Sequence, residues 1–107
     1  MDDITSSIPV VSDGTMATDI KPARPALTKP DLDSAITATV RGLMDRLGRK
    51  GPGACASSHE ALGLVTEEYD ELVKAVRKND IENIDEELTD IAVCCLYALA
   101  SRRHMPW

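Results

Sequence analysis

Ten consecutive residues near the end of the chain, Ile91 to Ala100, are almost wholly apolar: IAVCCLYALA. No strand alternation or turn residue interrupts them, so they extend the helical pattern that precedes them. A helix apolar on every side has to be buried on every side. The chain has 107 residues, which bounds it to one domain at most. A domain of that size buries only a limited fraction of its surface alone. The expected architecture is therefore all-α, an antiparallel helical bundle completed by homo-oligomerisation. Copies of this helix should pack across a symmetry axis through Val93, Leu96, Tyr97 and Ala100.

Two acidic clusters precede apolar helical stretches, Glu67-Glu68-Tyr69-Asp70-Glu71 and Glu86-Glu87-Leu88-Thr89-Asp90. Each holds an i,i+3 carboxylate pair, Glu68 with Glu71 and Glu87 with Asp90, and that spacing puts both members on one side of a helix. The first helix of the two has an apolar stripe at Ala61, Val65, Leu72 and Val76, flanked by Leu62 and Tyr69. With Val65 as zero, Glu68 lies roughly 60° and Glu71 roughly 120° to the same side, and Glu67 and Asp70 point away. The second has a stripe at Ile84, Leu88, Ile91, Cys95 and Ala98. With Ile84 as zero, Glu87 lies about 60° and Asp90 about 120° to one side. Four convergent carboxylates repel unless a cation sits among them, and hard divalent ions take oxygen ligands of this kind.

A net charge of −6 argues against a nucleic-acid groove or a polybasic membrane patch. No run approaches the roughly 18 apolar residues of a membrane span, and Met1 to Val11 lacks the basic and apolar regions of a signal peptide. A cytoplasmic location is the default expectation. The three cysteines, Cys55, Cys94 and Cys95, make neither a disulfide framework nor zinc spacing. They fit small buried apolar residues in a reducing compartment.

Residues 1–30 mix Ser, Thr, Asp and Gly with four prolines and are expected to form a disordered tail ahead of a helical domain at 31–107. A first helix is predicted from Asp31 or Asp33 to Arg49, with Asp31 as N-cap and Gly51-Pro52-Gly53 as the stop. A second is predicted from a Ser57/Glu60 capping box to about Lys78. Asn79-Asp80 then turns the chain, and a third helix follows from about Ile81 to Arg103. His59 fits a surface or capping residue, and Tyr69 fits packing on the core side.

The segments HEALGLVTEEYDELVKA (59–75) and NIDEELTDI (83–91) resemble the MazG-like all-α nucleoside triphosphate pyrophosphohydrolases. That family is marked by Glu-x-x-Glu followed after a loop by Glu-x-x-Asp, here Glu68/Glu71 and Glu87/Asp90. The resemblance covers roughly residues 57–103. It implies cleavage between the α- and β-phosphates of a nucleoside triphosphate, giving a monophosphate and pyrophosphate, in a house-cleaning role. It also implies Mg²⁺ or Mn²⁺ held by Glu68, Glu71, Glu87 and Asp90, Glu68 as the residue that orients or deprotonates the attacking water, and a homodimer or homotetramer.

Two features depart from the pattern. No aromatic residue precedes Tyr69, where relatives stack a base. The sequence reaches Met105-Pro106-Trp107 where many relatives begin a further helix with phosphate-binding basic residues. Lys74, Arg77, Lys78, Arg102 and Arg103 are the candidates for that role. Two alternatives stay open: a phosphoribosyl-ATP pyrophosphohydrolase-like enzyme, and a non-catalytic helical oligomerisation module with solvated acidic faces.

Overall fold

The computed structural model describes residues 23–107. The expected tail lies outside the described residues as far as residue 22, and residues 23–28 carry no regular structure. Three helices follow: α1 (Lys29–Lys50), α2 (Ser58–Arg77) and α3 (Ile81–Ser101). No strand occurs among the described residues. The chain divides into two units, one ending at Ile36 and one from Thr37 to Trp107. Everything below on packing and on the site concerns the second.

Local chemistry sets each helix end. α1 begins two residues before the predicted Asp31, because Thr28 is the cap. The Asp31 amide donates to Thr28 Oγ1 at 3.3 Å, and the Thr28 amide donates to Asp31 Oδ2 at 2.9 Å. This is a reciprocal capping box with Asp31 at its third helical position. Pro30 fits the first turn, where an amide hydrogen would have no helical partner. At the other end Gly51 has φ 93°, and its amide donates to Leu47 O at 2.9 Å, the left-handed stop that glycine favours.

α2 starts at the expected cap, with Ser57 Oγ accepting from the Glu60 amide at 3.0 Å. It ends in a Schellman arrangement: the Asn79 amide donates to Val76 O, and the Asp80 amide to Ala75 O. Asn79 takes the left-handed conformation, φ 54°, which Asn tolerates better than most side chains. Asp80 caps α3 directly by accepting from the Asn83 amide. No residue is left over between the two devices, so α3 folds back along α2.

The pairing is antiparallel. Cys55, just ahead of α2, donates its amide to Ser101 Oγ at the end of α3, at 2.8 Å. The Tyr97 hydroxyl donates to Gly53 O at 2.7 Å, and Trp107 Nε1 donates to Cys55 O at 2.9 Å. These bonds tie the α1–α2 loop to the far end of α3. Cys55 is fully buried beneath them.

The phase of α3 differs from the predicted stripe. Leu88 and Cys95 are exposed, whereas Glu87, Asp90, Cys94, Tyr97 and Ser101 are buried or half-buried. Those five recur at i, i+3, i+7, i+10 and i+14, one side of a helix. The two carboxylates therefore stand on the inward face itself and not at its edge. Val93 and Tyr97, expected at a subunit interface, are used inside the chain: Val93 is buried and Tyr97 is bonded to the loop. Tyr69, expected in the core, is 57% exposed.

α1 meets α3 closely at one place. A Cβ on Gly42 would come within 2.8 Å of Val93 Cγ2. Only glycine lets the two helices approach so near at this point. No residue of α1 is fully buried.

Candidate metal and phosphate site

Glu68 on α2 and Glu87 and Asp90 on α3 converge. One carboxylate oxygen from each lies within 4.8 Å of the other two, and all three side chains are half-buried. A cation that binds oxygens at about 2.0–2.6 Å has a shell of that breadth. Glu71 does not join them. It lies further round α2, is exposed, and its Oε1 accepts from Lys74 Nζ at 3.3 Å. Three of the four residues expected from sequence are thus brought together.

The electrostatics are those of a site built for positive charge. Burial pushes the Glu68 carboxyl up to about 7, with a hydrogen bond to Glu87 and the charges of Asp90, Glu87 and Glu67 acting in the same direction. Glu87 Oε2 is buried with no hydrogen-bond partner. A buried acceptor left in that state costs about 1–3 kcal/mol. A divalent cation among the three carboxylates would satisfy that oxygen and relieve the repulsion. Burial, with the Glu68 charge adding, pushes the nearby Cys94 thiol up as well. A neutral thiol is a poor ligand, so the donor set is oxygen, which suits a hard cation rather than a soft one.

A cavity of about 280 Å³ opens beside these groups, lined by Glu67 and Glu68 of α2, Asp90 and Cys94 of α3, and Arg46, Arg49 and Lys50 of α1. Glu67, expected to point away, lines this cavity. Arg46 lies 5.0 Å from the centre of the Tyr97 ring, a cation–π contact. The α1 cations went unnoticed in the sequence because basic residues in a last turn ordinarily just complement the helix dipole. None of the five basic residues suggested by the sequence for phosphate binding lines the cavity. His59 is exposed, as expected.

Residues 57–105 match the family of MazG nucleotide pyrophosphohydrolase domains. The resemblance drawn from the paired acidic motifs holds over this segment. The MazG-type segment contains the converging carboxylates and all of α2 and α3, and α1 lies ahead of it. A protein of Archaeoglobus fulgidus, described only as uncharacterized, is 41% identical over 58 residues. The match spans 50% of this chain and 62% of that relative. No solved structure matches the chain. No helix among the described residues is long and apolar enough to cross a membrane.

Proposed function

We propose that this protein is a Mg²⁺-dependent nucleoside triphosphate pyrophosphohydrolase, with Mn²⁺ able to replace Mg²⁺. The observation that carries this reading is the convergence of Glu68, Glu87 and Asp90 within a MazG-type segment, around a buried oxygen that lacks a partner. Glu68, Glu87 and Asp90 would hold the metal. Glu71, one turn along from Glu68, would complete the set by giving up Lys74, since an exposed pair contributes only about 0–1 kcal/mol. Bound there, the metal supplies charge neutralisation at the phosphates and activation of water.

Glu68 would do the proton chemistry, because its carboxylate borders the cavity in which a phosphate and its attacking water would sit. In the reaction the water oxygen bonds to the α-phosphorus and a water proton passes to Glu68. The bond from the α-phosphorus to the bridging oxygen breaks, and pyrophosphate leaves with that oxygen. The products are a nucleoside monophosphate and pyrophosphate. No Gly-x-x-x-x-Gly-Lys-Ser/Thr loop, the kind that cradles phosphates for terminal cleavage, occurs in the sequence. Without an aromatic residue before Tyr69, discrimination between bases is weak, which suits a house-cleaning role against a range of nucleotides.

The working unit is a homo-oligomer, a dimer or a dimer of dimers. On α2, Leu62, Tyr69 and Val76 recur every seven residues and are exposed, and on α3 Ile81, Leu88 and Cys95 do the same. Leu99, five turns on from Ile81, is 64% exposed. Such stripes are covered in helical assemblies.

The test is a panel of nucleoside triphosphates incubated with the protein and Mg²⁺. Monophosphate and pyrophosphate should appear, and Asp90→Asn should lower turnover by orders of magnitude. No turnover of any nucleotide with either metal would overturn the proposal and favour a non-catalytic helical module.

A further inference from the structure

We propose that Arg46, Arg49 and Lys50 of α1 form the subsite that grips the β- and γ-phosphates and then the departing pyrophosphate. The inference rests on the hydrolase reading above and adds to it a part of the chain outside the matched segment, which begins at residue 57.

Both signs of charge line one cavity without pairing across it. Three cations of α1 line the same cavity as the carboxylates Glu67 and Glu68 of α2 and Asp90 of α3. Opposite charges so placed ordinarily collapse into ion pairs when side chains are long enough. Here none does: Arg49 pairs within its own helix, with Asp45 at 3.0 Å, and among the described residues Lys50 and Arg46 make no salt bridge. The cavity of about 280 Å³ thus has cation-binding groups from α2 and α3 and anion-binding groups from α1. A polyphosphate carrying a divalent ion presents both kinds of charge.

Two features fix the basic wall. Gly42 lets α1 approach α3 closely one turn before Arg46, which brings the last turn of α1 over the cavity. The Tyr97 ring holds the Arg46 guanidinium, and Tyr97 is itself anchored to Gly53 O. Guanidinium groups bind phosphate oxygens two at a time, which orients the group as well as attracting it. The helix end works against an anion with a partial charge of about −0.5, and three full positive charges outweigh it. The Arg49–Asp45 pair is exposed and costs little to release. The β- and γ-phosphates carry most of a triphosphate's charge, so the basic wall is matched to them, and the carboxylates to the metal beside the α-phosphate.

The experiment measures inorganic pyrophosphate binding to the full chain by calorimetry with Mg²⁺ present, alongside product inhibition of turnover. Arg49→Gln with Lys50→Gln should weaken pyrophosphate binding and inhibition at least tenfold. Inhibition by the monophosphate and the Mg²⁺-induced rise in Tm should stay unchanged. Arg46→Gln should act in the same direction, and the exposed pair serves if Arg46→Gln loosens the fold. Arg77→Gln with Lys78→Gln, outside the cavity, should have no effect on pyrophosphate. Normal turnover with unaltered pyrophosphate affinity in the Arg49/Lys50 variant overturns this inference and leaves the hydrolase reading standing. Pyrophosphate binding without turnover of any nucleotide, lost in the same variant, upholds the subsite and overturns the hydrolase reading. A wild-type chain that binds no pyrophosphate overturns the subsite.

Discussion

Glu87 keeps an acceptor oxygen where nothing donates to it, and Glu68 keeps a proton beside it well above the usual carboxylate range. Both facts make the metal-free protein less stable than its packing allows. Glu87→Gln should raise metal-free stability by about 1 kcal/mol and remove the stabilisation that Mg²⁺ gives by binding the folded state. Thermal melts with chelator and with Mg²⁺ check both halves. The proton on Glu68 has its own consequence. In the folded chain Glu68 ionises near 7, and in the unfolded chain near 4.5. Between those values the native state holds the extra proton, so this group's contribution to stability falls as pH rises through the window. Burial is the largest cause, and of the groups around it, Glu67, Glu87, Asp90, Cys94 and Arg46, the carboxylates act in the same direction. The stability of the wild type relative to Glu68→Gln, without metal, should therefore decline from pH 5 to pH 8. A difference that rises over this range would mean that burial and the neighbouring carboxylates do not hold the proton on Glu68.

The helices show what a sequence makes legible. Ser57, Asp80 and Gly51 were readable as ends because a cap depends on neighbours three or four residues away. Asp31 is three positions from its expected place, the third helical residue and not the cap, since Thr28 and Asp31 both suit a cap and Pro30 fits either choice. The phase of α3 was not readable. Residues 91–100 have almost no polar side to set it, so a stripe through Leu88 and Cys95 and one through Cys94 and Tyr97 looked equally apolar. Close contact between α1 and α3 was hidden as well, because Gly42 reads as a mere helix weakener until Val93 stands opposite it. Gly42→Ala should destabilise by about 1–3 kcal/mol despite its better helix propensity. Val93→Ala in the same chain should recover part of the loss, and a double-mutant cycle measures that coupling. Additive effects would show that the two helices do not meet there. At the hairpin, Asn79→Gly should be neutral or slightly stabilising, and Asn79→Val destabilising by about 1 kcal/mol or more, because only the first suits a positive φ. Denaturant midpoints for the two variants check the order.

At the scale of the whole molecule, the apolar all-round segment led to the expectation of an oligomer, and the structure redirects that expectation. Val93 and Tyr97 are used within the chain, and the uncovered apolar residues include Ile81, Leu88 and Leu99 on α3 and Leu62, Tyr69 and Val76 on α2. Leu88→Asp with Leu99→Asp should dissociate the assembly while leaving the monomer's helices intact, as sedimentation and circular dichroism together would record. A wild-type chain that sediments as a compact monomer at micromolar concentration contradicts this. The central claim is that the converging carboxylates direct water to the α-phosphorus of a nucleoside triphosphate. Hydrolysis in water labelled with heavy oxygen, with the products separated and weighed by mass spectrometry, tests that claim most directly. The account predicts the label in the nucleoside monophosphate and none in the pyrophosphate; label in pyrophosphate, or release of orthophosphate and a diphosphate, would contradict it.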